Sequence, residues 1–473
     1  MSNMHKILKL AIIAITLLAT SVASADSIDL KKALRNPGFS KKRTSVMILE
    51  AENGFQLASH NPDMMLNPAS CMKILTTVTA LSSLGPDYRF KTDFLVDQMS
   101  SNGTVKNLYV SGTGDPTLVT EQLWTIAREL YDLGLRKVTG AIVIDDHYFD
   151  SYDYPKKKGN SHKSYAAQTS ALAVNFNAVS IHVAPGHNEG SNALVTIEPP
   201  TDYFRLINNL NTGGKHHITA TSNYANGRET ITVTGNITKR SGPGAFRRSI
   251  KDPTQYAASV VRYVLRQNGI EVGEQTISGR TPARAYKLYS AESKPLGEII
   301  RSMNKYSNNF MSEQIVKHLG AVRHGLPGST EKGIKVIEGY LTSIGIPPNS
   351  YVIENGSGLS SNTRLSATQL ANVLSAAYRD FTIRPDFMAS LAIVGVDGTT
   401  RRWKFANSVH GIARVKTGTL GGVSTLAGYV PMKNGSIAAF AILANGLKRG
   451  VDAAHKAQIG IVKTVAEAGP YER

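Results

Sequence analysis

Three short clusters carry side chains that could perform covalent chemistry together. The first is Ser70-Cys71-Met72-Lys73. A serine and a lysine three residues apart on a helix share a face, so the amine can reach the hydroxyl. Asn67-Pro68-Ala69 reads as the start of that helix, with Asn67 as N-cap and Pro68 at the first helical position. Ser70 is then expected at the third helical position, where backbone N–H groups lack intrahelical acceptors and the dipole is positive. A nucleophile there has an oxyanion donor in its own amide, and the positive helix end disfavours a protonated lysine, which suits Lys73 to act as a base. The second cluster, Tyr306-Ser307-Asn308-Asn309, interrupts a helical pattern with a hydroxyl and amides. The third, Lys416-Thr417-Gly418-Thr419, sets a cation on a strand beside a glycine that admits close backbone approach.

Each cluster alone is a short word. S-x-x-K occurs at Ser70, Ser302 and Ser329, and S-x-N recurs elsewhere, for instance at Ser302 and Ser360, whereas K-T-G occurs once. Other chemistries find less support. Cys71 is the only cysteine, lacks the surroundings of a protease nucleophile, and reads as a small buried helix residue. Gly112-Thr113-Gly114-Asp115-Pro116-Thr117-Leu118 lacks the closing Gly-Lys of a phosphate loop and reads as structural. Asn355-Gly356-Ser357-Gly358-Leu359-Ser360 lacks the G-x-S-x-G spacing of a nucleophile elbow. The twelve histidines form no H-E-x-x-H pair, and neither a metal nor an organic cofactor is expected.

The elements that must position these residues alternate in character. Leu30 to Leu34 is helical, Thr44 to Leu49 is strand-like, and Asn53-Gly54 signals a hairpin turn leading toward the Ser70 helix. Ile74, Leu75, Val78 and Leu81 recur at helical spacing, so that helix is expected to be buried. Lys91 to Asp97 and Val105 to Ser111 read as a hairpin, followed by a helix from Thr120 and a strand at 141–144. The following loop holds Asp145, Asp146, Asp150 and Asp153, and is where an acidic side chain would read a substrate amine. Residues 178–245 are mostly β and polar, with a strong hairpin pattern around Asn226-Gly227. Helix and strand return at 253–267 and 275–279, helices dominate from Pro295 to 378, and the tail reads as antiparallel sheet closed by a helix over 452–468.

The chain has 473 residues, enough for about three domains. His5, Lys6 and Lys9, the apolar run Leu10 to Leu18, and Ala23-Ser24-Ala25 predict a secretory leader cleaved after Ala25, too short to span a bilayer. A formal net charge of +18 favours anionic partners. For an exported chain an anionic wall polymer or peripheral contact with an anionic membrane fits better than nucleic acid, which is not expected as a partner. A single cysteine forms no internal disulfide, so stability must come from the core.

Taken in order, Ser70/Lys73, Ser307/Asn309 and Lys416-Thr417-Gly418 form the S-x-x-K, S-x-N and K-T-G set of penicillin-binding proteins and class A β-lactamases. The chain resembles the D-alanyl-D-alanine carboxypeptidase/endopeptidases of the penicillin-binding protein 4 type over nearly its whole mature length. Gly114 to Leu118, Gly356 to Ser360 and Gly395-Val396-Asp397-Gly398-Thr399 are similar to further family landmarks, and the long stretch between Ser70 and Ser307 matches the family's two inserted domains. Asn308 stands where Asp is common, and Glu354-Asn355 where Asp usually precedes Gly-Ser-Gly.

The resemblance implies a multidomain α+β fold. A transpeptidase-like domain of antiparallel sheet and helices (residues 26–90 and 286–473) would carry an inserted α+β domain (91–177 and 246–285) and a small β domain (178–245). It implies a periplasmic serine DD-peptidase acting on peptidoglycan stem peptides and acylated by β-lactam antibiotics. Ser70 would be the nucleophile, Lys73 its base, Ser307 the proton relay to the departing amine, and Asn309 the holder of Lys73 and substrate. Lys416, Thr417 and Thr419 would bind the terminal carboxylate beside Gly418, and the amides of Ser70 and Thr419 would form the oxyanion hole. Two rival readings stand. One is a β-lactamase, although Glu313, Glu331, Glu338 and Glu354 sit in no recognisable deacylation motif. The other is a wall-binding or assembly factor with an idle site.

Overall fold

The computed structural model describes residues 28–36, 38–150, 164–403, 407–448 and 450–468. The expected leader and Asp153 lie outside them. A six-stranded sheet underlies the site, in the order Ala392–Ile393, Arg414–Leu420, Val423–Pro431, Ile437–Asn445, Thr44–Glu50, Gln56–His60, with every neighbouring pair antiparallel. The three tail strands pair through short turns at Gly421-Gly422 and Asn434-Gly435. The N-terminal hairpin then docks on the last of them, Val46 opposite Ile442.

This sheet is covered on both faces, so its strands are apolar at consecutive positions rather than alternating with polar ones. Met47, Leu49, Tyr429, Ala441 and Leu443 pack into a core with the helices Met72–Leu84, Leu296–Tyr306, Asn309–His324, Thr330–Ser343 and Ala367–Arg379. Val46, Ile48, Val415, Phe440 and Ile442 face the other way, onto the closing helix Val451–Ala466. The period-two geometry of a strand divides these residues between two cores. The Met72–Leu84 helix is buried from Met72 to Leu81, including Lys73 and three threonines, as expected of an element packed on all sides.

Between Leu84 and Leu296 the chain builds a second body. A five-stranded sheet runs in the order Thr276–Ser278, Ile142–Asp145, Leu108–Gly112, Lys91–Val96, Tyr286–Glu292, with helices Thr120–Asp132 and Pro253–Gln267 packed into its core. Two three-stranded sheets follow from residues 178–249, one of them containing the expected Asn226-Gly227 hairpin, with Ala225 opposite Arg228. Two expectations are revised. Tyr286–Glu292 pairs antiparallel with Lys91–Val96, so a boundary after residue 285 cuts an edge strand from its sheet. Val110 and Ile144 share one continuous apolar cluster with Ile181 and Val233, so the α+β and β segments bury a common core.

The second body is fastened along the Asn309–His324 helix. The Gln314 amide donates to Ser170 O (2.9 Å) and accepts from Ser170 N (3.1 Å). His318 bridges Thr113 O and the Tyr88 hydroxyl, each at 2.8 Å, and burial drives its pKa down to about 4, so it serves this contact as a neutral ring. The acidic loop is equally committed to structure. Asp145 accepts from Thr281 N, Asp146 from Ala171 N and Leu172 N, and Asp150 pairs with Lys317 at 2.7 Å. Those three side chains therefore hold the loop rather than await an amine.

Candidate active site

Ser70 lies just ahead of its helix rather than inside it. Ala69–Cys71 forms a 3₁₀ turn whose N-cap is Pro68, and the α-helix begins at Met72. The reason is local. Ala69 adopts a left-handed φ of 45°, which an α-helix cannot contain, and the Asn67 side chain accepts from Ala69 N at 2.8 Å. The carbonyl of Ala69 is pressed by the glycine loop, since a Cβ on Gly358 would lie 1.9 Å from it. Only glycine lets that loop close over the Ser70 turn.

Lys73 projects from the first turn of the helix and is fully buried. Its Nζ lies 3.1 Å from Ser70 Oγ, 2.7 Å from Asn309 Oδ1 and 2.7 Å from Ser357 O. Burial pushes this amine well below the ordinary lysine range, and the nearby charge of Lys416 pushes it further, against the opposing pull of Glu313. Ser307 occupies the break between two helices with a φ of 55°, and Asn308 caps the second by accepting from Met311 N at 3.1 Å. That kink turns the Ser307 hydroxyl toward the sheet, where Lys416 Nζ donates to it at 2.9 Å and to Thr417 O at 2.7 Å. Burial lowers Lys416 to about 8.

Gly418 makes the strand fit. A Cβ there would lie 2.2 Å from Thr425 Oγ1, 2.8 Å from Pro68 O and 2.9 Å from Ser70 N. The strand edge thus runs against the backbone of the Pro68–Ser70 turn. Thr417 Oγ1 bonds Thr399 Oγ1 at 2.7 Å, and Thr419 is exposed. Six of the eight expected residues are joined by side-chain contacts or close approach, and Thr417 and Thr419 lie on the same strand as Lys416 and Gly418. Cys71 is buried against Lys416 O and Thr425, its thiol pushed up by burial, as a packing residue would be.

Two contributors were not assigned from sequence. Glu313, fully buried, accepts from Gly356 N (3.1 Å) and Ser357 N (2.9 Å), and so holds the loop whose Ser357 carbonyl receives Lys73. Its position one helical turn after Asn309 was the available signal. Thr399, inside the Gly395–Thr399 landmark, reaches Thr417. Among the other glutamates weighed as deacylating groups, Glu331 pairs with Lys335 and Glu354 is taken up by Ser360 and Asn362.

The model of the D-Ala-D-Ala carboxypeptidase 3 (S13) family matches residues 26–468. The chain belongs to that family. It is 31% identical over 465 residues to a D-alanyl-D-alanine carboxypeptidase of Actinomadura sp. (strain R39), covering 92% of this chain and 85% of that protein. It is 26% identical to the D-alanyl-D-alanine carboxypeptidase DacB of Haemophilus influenzae, covering 83% of each. The crystal structure of penicillin binding protein 4 from Haemophilus influenzae superposes with a TM-score of 0.78 at 23% identity, over 92% of this chain and 97% of that one. The mixed α+β architecture of this S13 chain is therefore a shared fold.

Proposed function

We propose a division of labour among these residues for the activity that family membership assigns: the chain is a serine-type D-Ala-D-Ala peptidase. Ser70 Oγ attacks the carbonyl between two D-residues, and its proton passes to Lys73. The contact lengths favour this direction of transfer. A neutral amine has two N–H donors and one lone pair. Asn309 Oδ1 and Ser357 O, each at 2.7 Å, take the donors, which leaves the lone pair facing the Ser70 hydroxyl at 3.1 Å. The amides of Ser70 and Thr419 receive the developing oxyanion, each worth roughly 2.7–4 kcal/mol. On collapse, the Ser307 hydroxyl protonates the departing amine and is resupplied from Lys416. Thr417 and Thr419 hold the carboxylate of the departing residue. Water then hydrolyses the ester on Ser70.

The observation that carries this reading is the pairing of two hydroxyls with two buried amines, Ser70 with Lys73 and Ser307 with Lys416. A β-lactam presents the same acylating carbonyl, so penicillin acylates Ser70. The substrates are peptidoglycan stem peptides. The expected leader and the excess positive charge support export to the periplasm with cleavage after Ala25, and contact with anionic wall or membrane surface. Among the described residues no helix is long and apolar enough to cross a membrane. The sheet pairings support a transpeptidase-like domain of residues 26–90 and 293–473 carrying residues 91–292 as an insertion. Labelling by a fluorescent penicillin tests the assignment: the wild-type chain labels and Ser70→Ala does not. Equal labelling of the two would remove Ser70 from its role.

A further inference from the structure

A cleft of 780 Å³ opens beside the site and none of the roles above uses it. It adjoins the site through two of its lining residues. Tyr306, adjacent to the proposed proton relay Ser307 and 76% exposed, forms one lip, and Thr399, bonded to Thr417, forms another. Its wall is the Trp403 ring, which lies 4.4 Å from the His455 ring at an interplanar angle of 33°. Arg401, Arg402 and Lys456 line it and are exposed.

The charge in this cleft is not balanced from within. Asp397 is already taken by Lys305 Nζ at 2.5 Å and by Ile393 N at 2.7 Å. That leaves Asp452, on the first turn of the closing helix, against three cations. None of Arg401, Arg402 and Lys456 makes an ion pair among the described residues. The volume is also too large for a departing alanine, and falls in the range of roughly 300–1,000 Å³ typical of sites for much larger ligands.

We propose that this cleft binds the peptide on the amine side of the scissile bond and recognises its carboxylates through Arg401, Arg402 and Lys456. This rests on the DD-peptidase reading and deepens it. The preferred substrate is a cross-linked dimer whose departing strand carries free carboxylates, rather than a linear peptide that releases a single residue. Arginine suits the task because its planar fork can engage a carboxylate with two donors.

The test compares kcat/KM for a linear D-Ala-D-Ala pentapeptide, a cross-linked peptide dimer, and the same dimer with the departing strand's carboxylates amidated. Wild type is compared with the Arg401→Ala/Arg402→Ala double variant and with Lys456→Glu. The dimer-to-linear ratio is expected to fall about tenfold in the double variant, and added salt should lower the wild-type ratio more than the variant's. Amidation should lower the wild-type ratio similarly and abolish the difference between wild type and variant. The rate of penicillin acylation reports whether the catalytic centre is intact in each variant. A ratio unchanged by both substitution sets overturns the cleft assignment while leaving the DD-peptidase reading in place. A wild-type chain that neither cleaves these peptides nor takes penicillin overturns both.

Discussion

Replacing Lys416 with methionine separates what this amine does for the fold from what it does for the site. The side chain is fully buried and its pKa falls from 10.5 to about 8. At about 1.36 kcal/mol per unit, the shift corresponds to about 3 kcal/mol by which burial disfavours the charged form. Below pH 8 the amine is charged both folded and unfolded, so the folded state bears the full penalty. Between pH 8 and 10.5 the folded form is neutral while the unfolded chain still binds a proton, and the penalty disappears as pH rises. Methionine has a similar shape and no charge, but it forfeits the two bonds to Ser307 and Thr417, at about 1 kcal/mol each. Lys416→Met should therefore be more stable than wild type by about 1 kcal/mol at pH 7, and the advantage should be gone above pH 10.5. The same variant should lose most of its peptidase activity, a trade of function for stability common at such sites. It should also raise the pKa of Lys73, which the charge of Lys416 holds down, and so move the acid limb of penicillin acylation to higher pH. Urea unfolding at pH 7 and pH 10, with acylation rates from pH 5 to 9, measures both. A variant less stable than wild type at pH 7, or an acid limb that stays in place, would refute the account of two mutually repelling buried amines.

Glu313→Gln should act with the opposite sign. Losing its charge removes the pull that raises Lys73, so the acid limb of acylation should move to lower pH, while one loop N–H left facing an amide NH₂ should cost about 1–3 kcal/mol of stability; an upward movement of the limb would contradict the role given to Glu313. Gly418→Ala should slow acylation on the order of a hundredfold, because the new methyl meets Thr425, Pro68 O and Ser70 N and must push the Ser70 turn off the strand. Acylation kinetics at wild-type rate would show that the strand and turn do not need this contact.

Much of the site was legible because its parts are local. Ser70 and Lys73 meet through a spacing of three along one turn, and Ser307 stands at a helix break written as Tyr306-Ser307-Asn308-Asn309. The tail strands and the Asn226-Gly227 hairpin follow from alternation and turn residues, which depend on a few neighbouring positions. The Ala69 conformation was not legible in that way. Asn67 and Pro68 are good helix starters, but the glycine loop that packs on Ala69 comes from far along the chain.

By itself, then, the order of residues determined the element types, the three motifs and, through their resemblance, the family and its chemistry. Only the tertiary structure decided that Tyr286–Glu292 joins the inserted sheet, that Glu313 holds the loop over Lys73, and that Arg401, Arg402 and Lys456 share a cleft. It also decided the protonation tendencies of the two amines. The physical reason is the same in each case: hydrogen bonds within a turn are set by spacing along the chain, whereas burial and charge–charge distance depend on which remote segments pack together, and no short window of sequence contains that information.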